Sequence, residues 1–135
     1  MRTIVVGVDG SPDSRRAVEW AAELAAETGA RVVAVHAVGL LEHEPGDPTG
    51  AHLAPDLDRW TAGLDGLGPG RVDRRLVAGD PVGALTAAAG DAGADLVVVG
   101  SRGVGAHAGT GLGSTSLHLA EAGDVVLVIV PPALA

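Results

Sequence analysis

The sequence predicts an α/β fold, a five-stranded parallel sheet in the order 3-2-1-4-5 with helices on both faces. Five runs rich in β-branched residues alternate with segments of helical periodicity. Four of these runs are apolar on both faces, which is typical of strands buried between layers of helices. The runs cover residues 3–8, 31–38, 71–77, 94–99 and 125–130. Such an alternation indicates an open sheet with right-handed crossovers.

Two of the intervening segments begin with the same helix-start signal. Ser11 can cap a helix whose first turn contains Pro12, and Gly29 ends it. Asp80 and Pro81 repeat the combination of a capping side chain and a proline. We therefore expect a long helix after the first strand and another after the third.

The two remaining helices have weaker patterns. Residues 114–121 predict a short helix ended by Gly123, with Leu117 and Ala120 facing inward. The segment between the second and third strands has apolar residues at helical spacing, but glycines interrupt it. The spaced residues are Leu57, Trp60, Thr61 and Leu64, and the glycines are Gly63 and Gly66. We expect this to be the least regular helix.

The third run differs from the others because charged side chains occur within it. Val72, Arg74 and Leu76 alternate with Asp73, Arg75 and Val77, so both faces are mixed and an edge position is favoured. In the order 3-2-1-4-5 the chain progression then reverses between strands 1 and 4. Ligands of such sheets bind at the carboxyl ends of the strands beside that reversal. Asp9 and Gly100 follow these two strands, so topology alone predicts a site there.

The loop after the fourth strand is unusually rich in glycine. Six glycines lie between residues 100 and 113, and the loop leads into a helix that opens with Ser114, Thr115 and Ser116. Backbone amides and hydroxyls at a helix N-terminus suit a phosphate chain. A mobile surface loop followed by an ordinary helix cap explains the same residues. Arg102 likewise either grips a phosphate or is a solvated loop arginine.

Composition excludes several classes of function. The net charge of −8 and the 1% aromatic content disfavour nucleic acid as a partner. The chain contains neither cysteine nor lysine, which rules out thiolate metal sites, thiol nucleophiles and a P-loop lysine. We see no metal-ligand spacing, no GxSxG elbow and no GxGxxG after the first strand. No catalytic residues and no metal ligands are therefore assigned.

The length and the apolar content predict the number of domains and the location of the protein. With 135 residues, 47% of them hydrophobic, we expect one domain over residues 1–135. The apolar runs are too short to span a membrane, and the first residues lack the pattern of a signal peptide. We expect a cytoplasmic protein without a membrane partner.

The glycine spacing resembles a known signature. Gly100-x2-Gly103-x9-Gly113-Ser114 is similar to the nucleotide-binding signature of the universal stress protein family. Residues 4–14 and 32–38 resemble that family's first and second strands. The resemblance extends over nearly the whole chain and implies the adenine nucleotide alpha hydrolase-like fold of that family.

The resemblance implies that the ligand is ATP or ADP, with or without Mg²⁺. Phosphates would lie over the 103–113 loop, the adenine edge would meet the backbone near Ala37, and Asp9 would lie at the adenine and ribose end. The implied nucleotide-binding residues are Asp9, Gly10, Ala37, Val99, Gly100, Arg102, Gly103, Gly113, Ser114, Thr115 and Ser116.

The resemblance also implies a regulatory role in the stress response, acting on an unidentified protein partner. It implies a homodimer that pairs through residues 125–130, an apolar run that would otherwise be an exposed edge. Hydrolysis of ATP is expected to be slow at most. Two alternatives remain open: a nucleotide-free dimeric scaffold, and a weak ATPase or nucleotidyl transferase.

Overall fold

The fold is described by a computed structural model that covers residues 1–39, 47, 50–102 and 113–132. Five parallel strands form one sheet in the order β3-β2-β1-β4-β5, so the predicted topology is confirmed. The strands are β1 (Thr3–Gly7), β2 (Arg31–Val38), β3 (Val72–Ala78), β4 (Leu96–Gly100) and β5 (Leu127–Val130).

Four α-helices connect these strands. They are α1 (Pro12–Thr28), α2 (Ala54–Trp60), α3 (Pro81–Ala92) and α4 (Ser114–Ala122). Short 3₁₀ turns at Ala51–Leu53 and Ala62–Leu67 flank α2. The predicted caps of α1 and α3 are confirmed, since Ser11 accepts from the backbone of Ser14 and Asp80 from that of Gly83.

The sheet separates two apolar layers. On one face, Ile4 and Val6 of β1 pack with α1 and with Leu57 and Leu64 from the irregular segment after β2. On the other face, Val5 and the alternate residues of β2 and β4 pack against α3 and α4. Because both faces are covered, the central strands are largely apolar, as the sequence predicted.

The strand with mixed polarity lies at an edge of the sheet. β3 pairs with β2 alone among the described strands, and its Val72 and Leu76 join the α1 layer while Val77 joins the other. Arg74 donates to the hydroxyl and carbonyl of Thr61, at 2.6 and 3.2 Å. The predicted alternation of this strand is therefore confirmed.

The helix between β2 and β3 is interrupted where the sequence indicated weakness. α2 ends at Trp60, and the chain continues from Ala62 as a 3₁₀ turn. Thr61 is fully buried at the break, where its hydroxyl donates to the carbonyl of Leu57 at 2.7 Å. A side chain that bonds back to the preceding turn is a known cause of such bends.

The prediction for the inner face of α4 was wrong. Leu117 is 41% exposed and Ala120 is exposed, whereas Ser116 and Leu119 are buried. Ser116 faces inward because its hydroxyl lies 3.0 Å from the carbonyl oxygen of Ser101, at the end of β4. A polar contact, which hydrophobic periodicity does not register, sets the rotation of this helix. None of the helices in the described ranges is long and apolar enough to cross a membrane.

Candidate functional site

A pocket of about 90 Å³ opens at the carboxyl ends of β1, β2 and β4. It is closed by the start of α3 on one side and the start of α4 on the other. Its lining residues are Gly7, Val8, Asp9, Ser14, Val35, His36, Ala37, Pro81, Leu85, Val99, Gly100, Arg102, Gly113, Thr115 and Ser116. The pocket therefore lies where the strand order reverses, as the topology predicted.

Most of the predicted site residues surround this pocket. Asp9, Ala37, Val99, Gly100 and Arg102 line it, as do Gly113, Thr115 and Ser116. Gly10 and Ser114 are not part of its lining. Gly103, with the rest of residues 103–112, lies outside the described residues.

A contact with Trp60 of α2 accounts for the position of Gly10 outside the lining. Gly10 has a φ of +82°, and an added Cβ would lie 2.8 Å from the indole of Trp60. Trp60 in turn meets the ring of His36 edge to face, with the centroids 5.2 Å apart. Gly10 thus lies in the turn after β1, against the ring of Trp60, and is outside the pocket lining.

His36 is a pocket residue that the sequence did not reveal as one. It is 5% exposed, and its Nδ1–H donates to the carbonyl of Val8 at 2.7 Å. Through this hydrogen bond His36 connects β2 to the residue that follows β1, 28 positions earlier in the chain. Its place in the lining depends on the packing of β2 beside β1, for which no motif gave a signal.

Asp9 shapes the turn between β1 and α1. Its Oδ1 accepts from the backbone of Ser11 at 2.9 Å, and its own backbone N–H donates to the hydroxyl of Ser14 at 3.3 Å. Hydrogen bonds of this kind fix an Asx turn. Asp9 therefore has a structural role and also presents a carboxylate at the pocket.

The start of α1 packs directly against the end of β4. A Cβ at Gly100 would lie 2.7 Å from the carbonyl carbon and oxygen of Asp13. The Asp13 carboxylate accepts from Arg102 Nε at 3.3 Å and from the Ser101 hydroxyl at 3.4 Å. Arg102 is therefore a paired residue with a side chain only 20% exposed, not a solvated one.

The start of α4 is tied to the same strand end. The backbone N–H of Gly113 donates to the carbonyl of Ser101 at 2.6 Å, and the Ser116 hydroxyl approaches the same oxygen. Ser116 is 2% exposed, whereas Thr115 is half-buried. These contacts bring the two ends of the glycine-rich loop together beside the pocket.

The described residues offer no ready-made metal centre. They contain no group of three or more His, Asp or Glu side chains placed to hold a cation.

Comparison with known proteins identifies the family. The model of the universal stress protein family matches residues 1–131. The chain belongs to the universal stress protein family. Universal stress protein Rv1636 of Mycobacterium tuberculosis is 33% identical to it over 139 residues, covering 96% of this chain and 95% of the relative. A universal stress protein of Thermus aquaticus is 35% identical, covering 95% and 98%.

The solved structures of universal stress proteins share the fold. One of them, a universal stress protein crystallised in complex with cAMP, superimposes with a TM-score of 0.75 at 33% identity and covers 98% of both chains. The resemblance that the glycine spacing indicated is therefore confirmed at the level of the family and the fold.

Proposed function

We propose that this universal stress protein binds an adenine nucleotide, ATP or ADP, in the pocket between β1 and β4. The observation that carries the proposal is the position of the pocket, which lies at the strand reversal beside both ends of the glycine-rich segment. A related universal stress protein has been crystallised with cAMP, which supports an adenine ligand.

The lining suits the two ends of such a ligand. Val35, Ala37, Leu85 and Val99 give an apolar part that fits a base, and Arg102 with Thr115 gives a polar part that fits phosphate. Mg²⁺ would enter with the phosphates. Hydrolysis would be slow at most, because the chain has no lysine and Arg102 is engaged by Asp13.

The proposed role is regulatory, in a cytoplasmic response to stress. Nucleotide binding would change a surface that a partner protein reads. Such a switch requires that the nucleotide bind the two states with different affinities.

We also propose a homodimer that pairs through β5. Among the described strands β5 contacts only β4, and Leu127, Val128 and Ile129 are half-buried. An uncharged edge of this kind is normally covered, and a second copy across a twofold axis is the simplest cover. Light scattering of the purified protein tests this, and a monomeric mass would refute it.

Replacing Ala37 by leucine tests the nucleotide site. Ala37 lies on the same face of β2 as Val35, so a larger side chain extends into the pocket of about 90 Å³. We expect the affinity for ATP, measured by titration calorimetry, to fall at least about tenfold, or 1.4 kcal/mol. Ala26→Leu, on the exposed face of α1, is the matched control and should bind like the wild type.

Two further results decide between the alternatives. Wild-type protein that neither retains a nucleotide through purification nor binds ATP or ADP would refute the proposal and favour the nucleotide-free scaffold. Turnover of ATP that is lost in the Ala37→Leu variant would favour an enzyme over a regulatory protein.

A further inference from the structure

Asp13 forms an ion pair with Arg102, which is the only arginine among the described residues that line the pocket. Its Oδ2 accepts from Arg102 Nε at 3.3 Å and from the Ser101 hydroxyl at 3.4 Å. The side chains of Asp13 and Arg102 are 14% and 20% exposed, so water and salt screen their attraction only weakly. The charge of Arg102 is therefore largely offset before any ligand arrives.

The balance of charge around the pocket is negative. Asp9 adds a carboxylate in the lining to that of Asp13 just outside it, and the chain contains no lysine that could compensate. Together Asp9, Asp13 and Arg102 carry one more negative than positive charge. A pocket with this balance does not repel a neutral nucleoside but opposes each additional negative charge on a phosphate chain.

The packing of α1 against β4 places Asp13 beside Arg102. Ser11 and Pro12 begin α1 immediately before it, and the backbone of Asp13 lies against Gly100 with no room for a Cβ. The backbone of Asp13 is therefore held against the end of β4, and from there its side chain reaches both Ser101 and Arg102.

We propose that Asp13 is a specificity-determining residue that limits how strongly the pocket favours highly charged nucleotides. This inference rests on the proposed adenine-nucleotide function. Asp13 is outside the lining and acts through Arg102, so it is a positioning residue. By partly neutralising Arg102, it lowers the affinity for ATP more than the affinity for AMP. Magnesium, which neutralises part of the triphosphate charge, reduces the penalty.

A second effect of Asp13 has a different signature. Asp13 also orients the guanidinium of Arg102 before a ligand binds, so less conformational entropy of Arg102 is lost when it contacts a phosphate. That benefit is gained once, whatever the number of phosphates, whereas repulsion by the carboxylate grows with the charge of the ligand. The ratio of ATP affinity to AMP affinity therefore isolates the electrostatic effect.

The test compares Asp13→Asn with the wild type by titration calorimetry, using AMP, ADP and ATP without magnesium. Asparagine keeps the size of the side chain and removes its charge. We expect the ratio of ATP to AMP affinity to rise about tenfold, with ADP between the two, and to rise less when magnesium is present. Asp13→Glu, which restores the carboxylate, should return the ratio toward the wild-type value.

A matched control separates this effect from a general change in charge. Asp56 lies in the first turn of α2, pairs with Arg59 at 2.6 Å and is outside the pocket lining. Asp56→Asn alters the net charge equally, yet at physiological salt it should leave the affinity ratio unchanged, because Arg59 offsets the charge of this partly exposed carboxylate and salt screens the remainder.

The variants of Arg102 complete the test. Arg102→Gln should lower the ATP to AMP ratio by itself, and Asp13→Asn should gain much less when combined with it, because the two residues act as a unit. An unchanged or lower ratio in Asp13→Asn would overturn the inference while leaving the proposed function intact. If Asp13→Asn does not fold, an unchanged ratio in Arg102→Gln would overturn it equally. If neither the wild type nor the variants bind any nucleotide, both the inference on Asp13 and the proposed function are refuted.

Discussion

Replacing Gly100 by alanine should both destabilise the protein and lower its affinity for ATP. The added Cβ would lie 2.7 Å from the carbonyl carbon and oxygen of Asp13, and backbone atoms on both sides leave no flexible group to move aside. Overpacking of this kind costs about 1–3 kcal/mol. The strain falls on the contact between β4 and the first turn of α1, so ATP affinity should also fall at least about tenfold.

Gly90 offers a control with the opposite sign. It lies on the exposed side of α3, where an added Cβ meets no atom within 4 Å. Alanine there should stabilise the protein by about 0.5–1 kcal/mol, because glycine inside a helix loses more backbone entropy on folding. Its affinity for ATP should be that of the wild type.

Urea unfolding followed by tryptophan fluorescence measures both changes. With a slope of about 2 kcal/mol per molar urea, the midpoint should fall by about 0.5–1.5 M for Gly100→Ala and rise by about 0.2–0.5 M for Gly90→Ala. Trp20 and Trp60 report on the α1 side of the sheet. A Gly100→Ala variant with the midpoint and the ATP affinity of the wild type would refute the close approach described above.

Two further predictions concern the helical segment beside β3 and the residues preceding it. Thr61→Val should lower the free energy of unfolding, measured in urea, by about 1–3 kcal/mol, because Arg74 Nε loses its 2.6 Å acceptor. The exposed Thr28→Val should change it by no more than about 0.5 kcal/mol. Equal costs for the two variants would refute this reasoning. The pKa of Asp47 is lowered to about 2, chiefly by the backbone N–H and ring of His52. A lowered folded-state pKa gives stability that is present above pH 3.8 and lost as the pH falls toward 2. Asp47→Asn should therefore show a smaller drop in melting temperature between pH 5 and pH 2 than the wild type, and an equal drop would contradict the assignment.

The sequence alone was sufficient for the order of the sheet and the location of the pocket. Apolar periodicity and the caps at Ser11 and Asp80 are local signals, since each depends on residues within a few positions of one another. The polar alternation of β3 indicated an edge strand, and the order 3-2-1-4-5 satisfies that position. That order placed the site at Asp9 and Gly100 before any motif was considered.

Only the tertiary structure showed how the walls of the pocket are made. The pairing of Asp13 with Arg102 joins residues 89 positions apart, and the contact of Trp60 with His36 joins α2 to β2. The inward rotation of Ser116 likewise depends on a carbonyl at the end of β4. Contacts of this kind leave no periodic trace along the chain, because they depend on where separate elements meet in space and on polar atoms that hydrophobic patterns do not register.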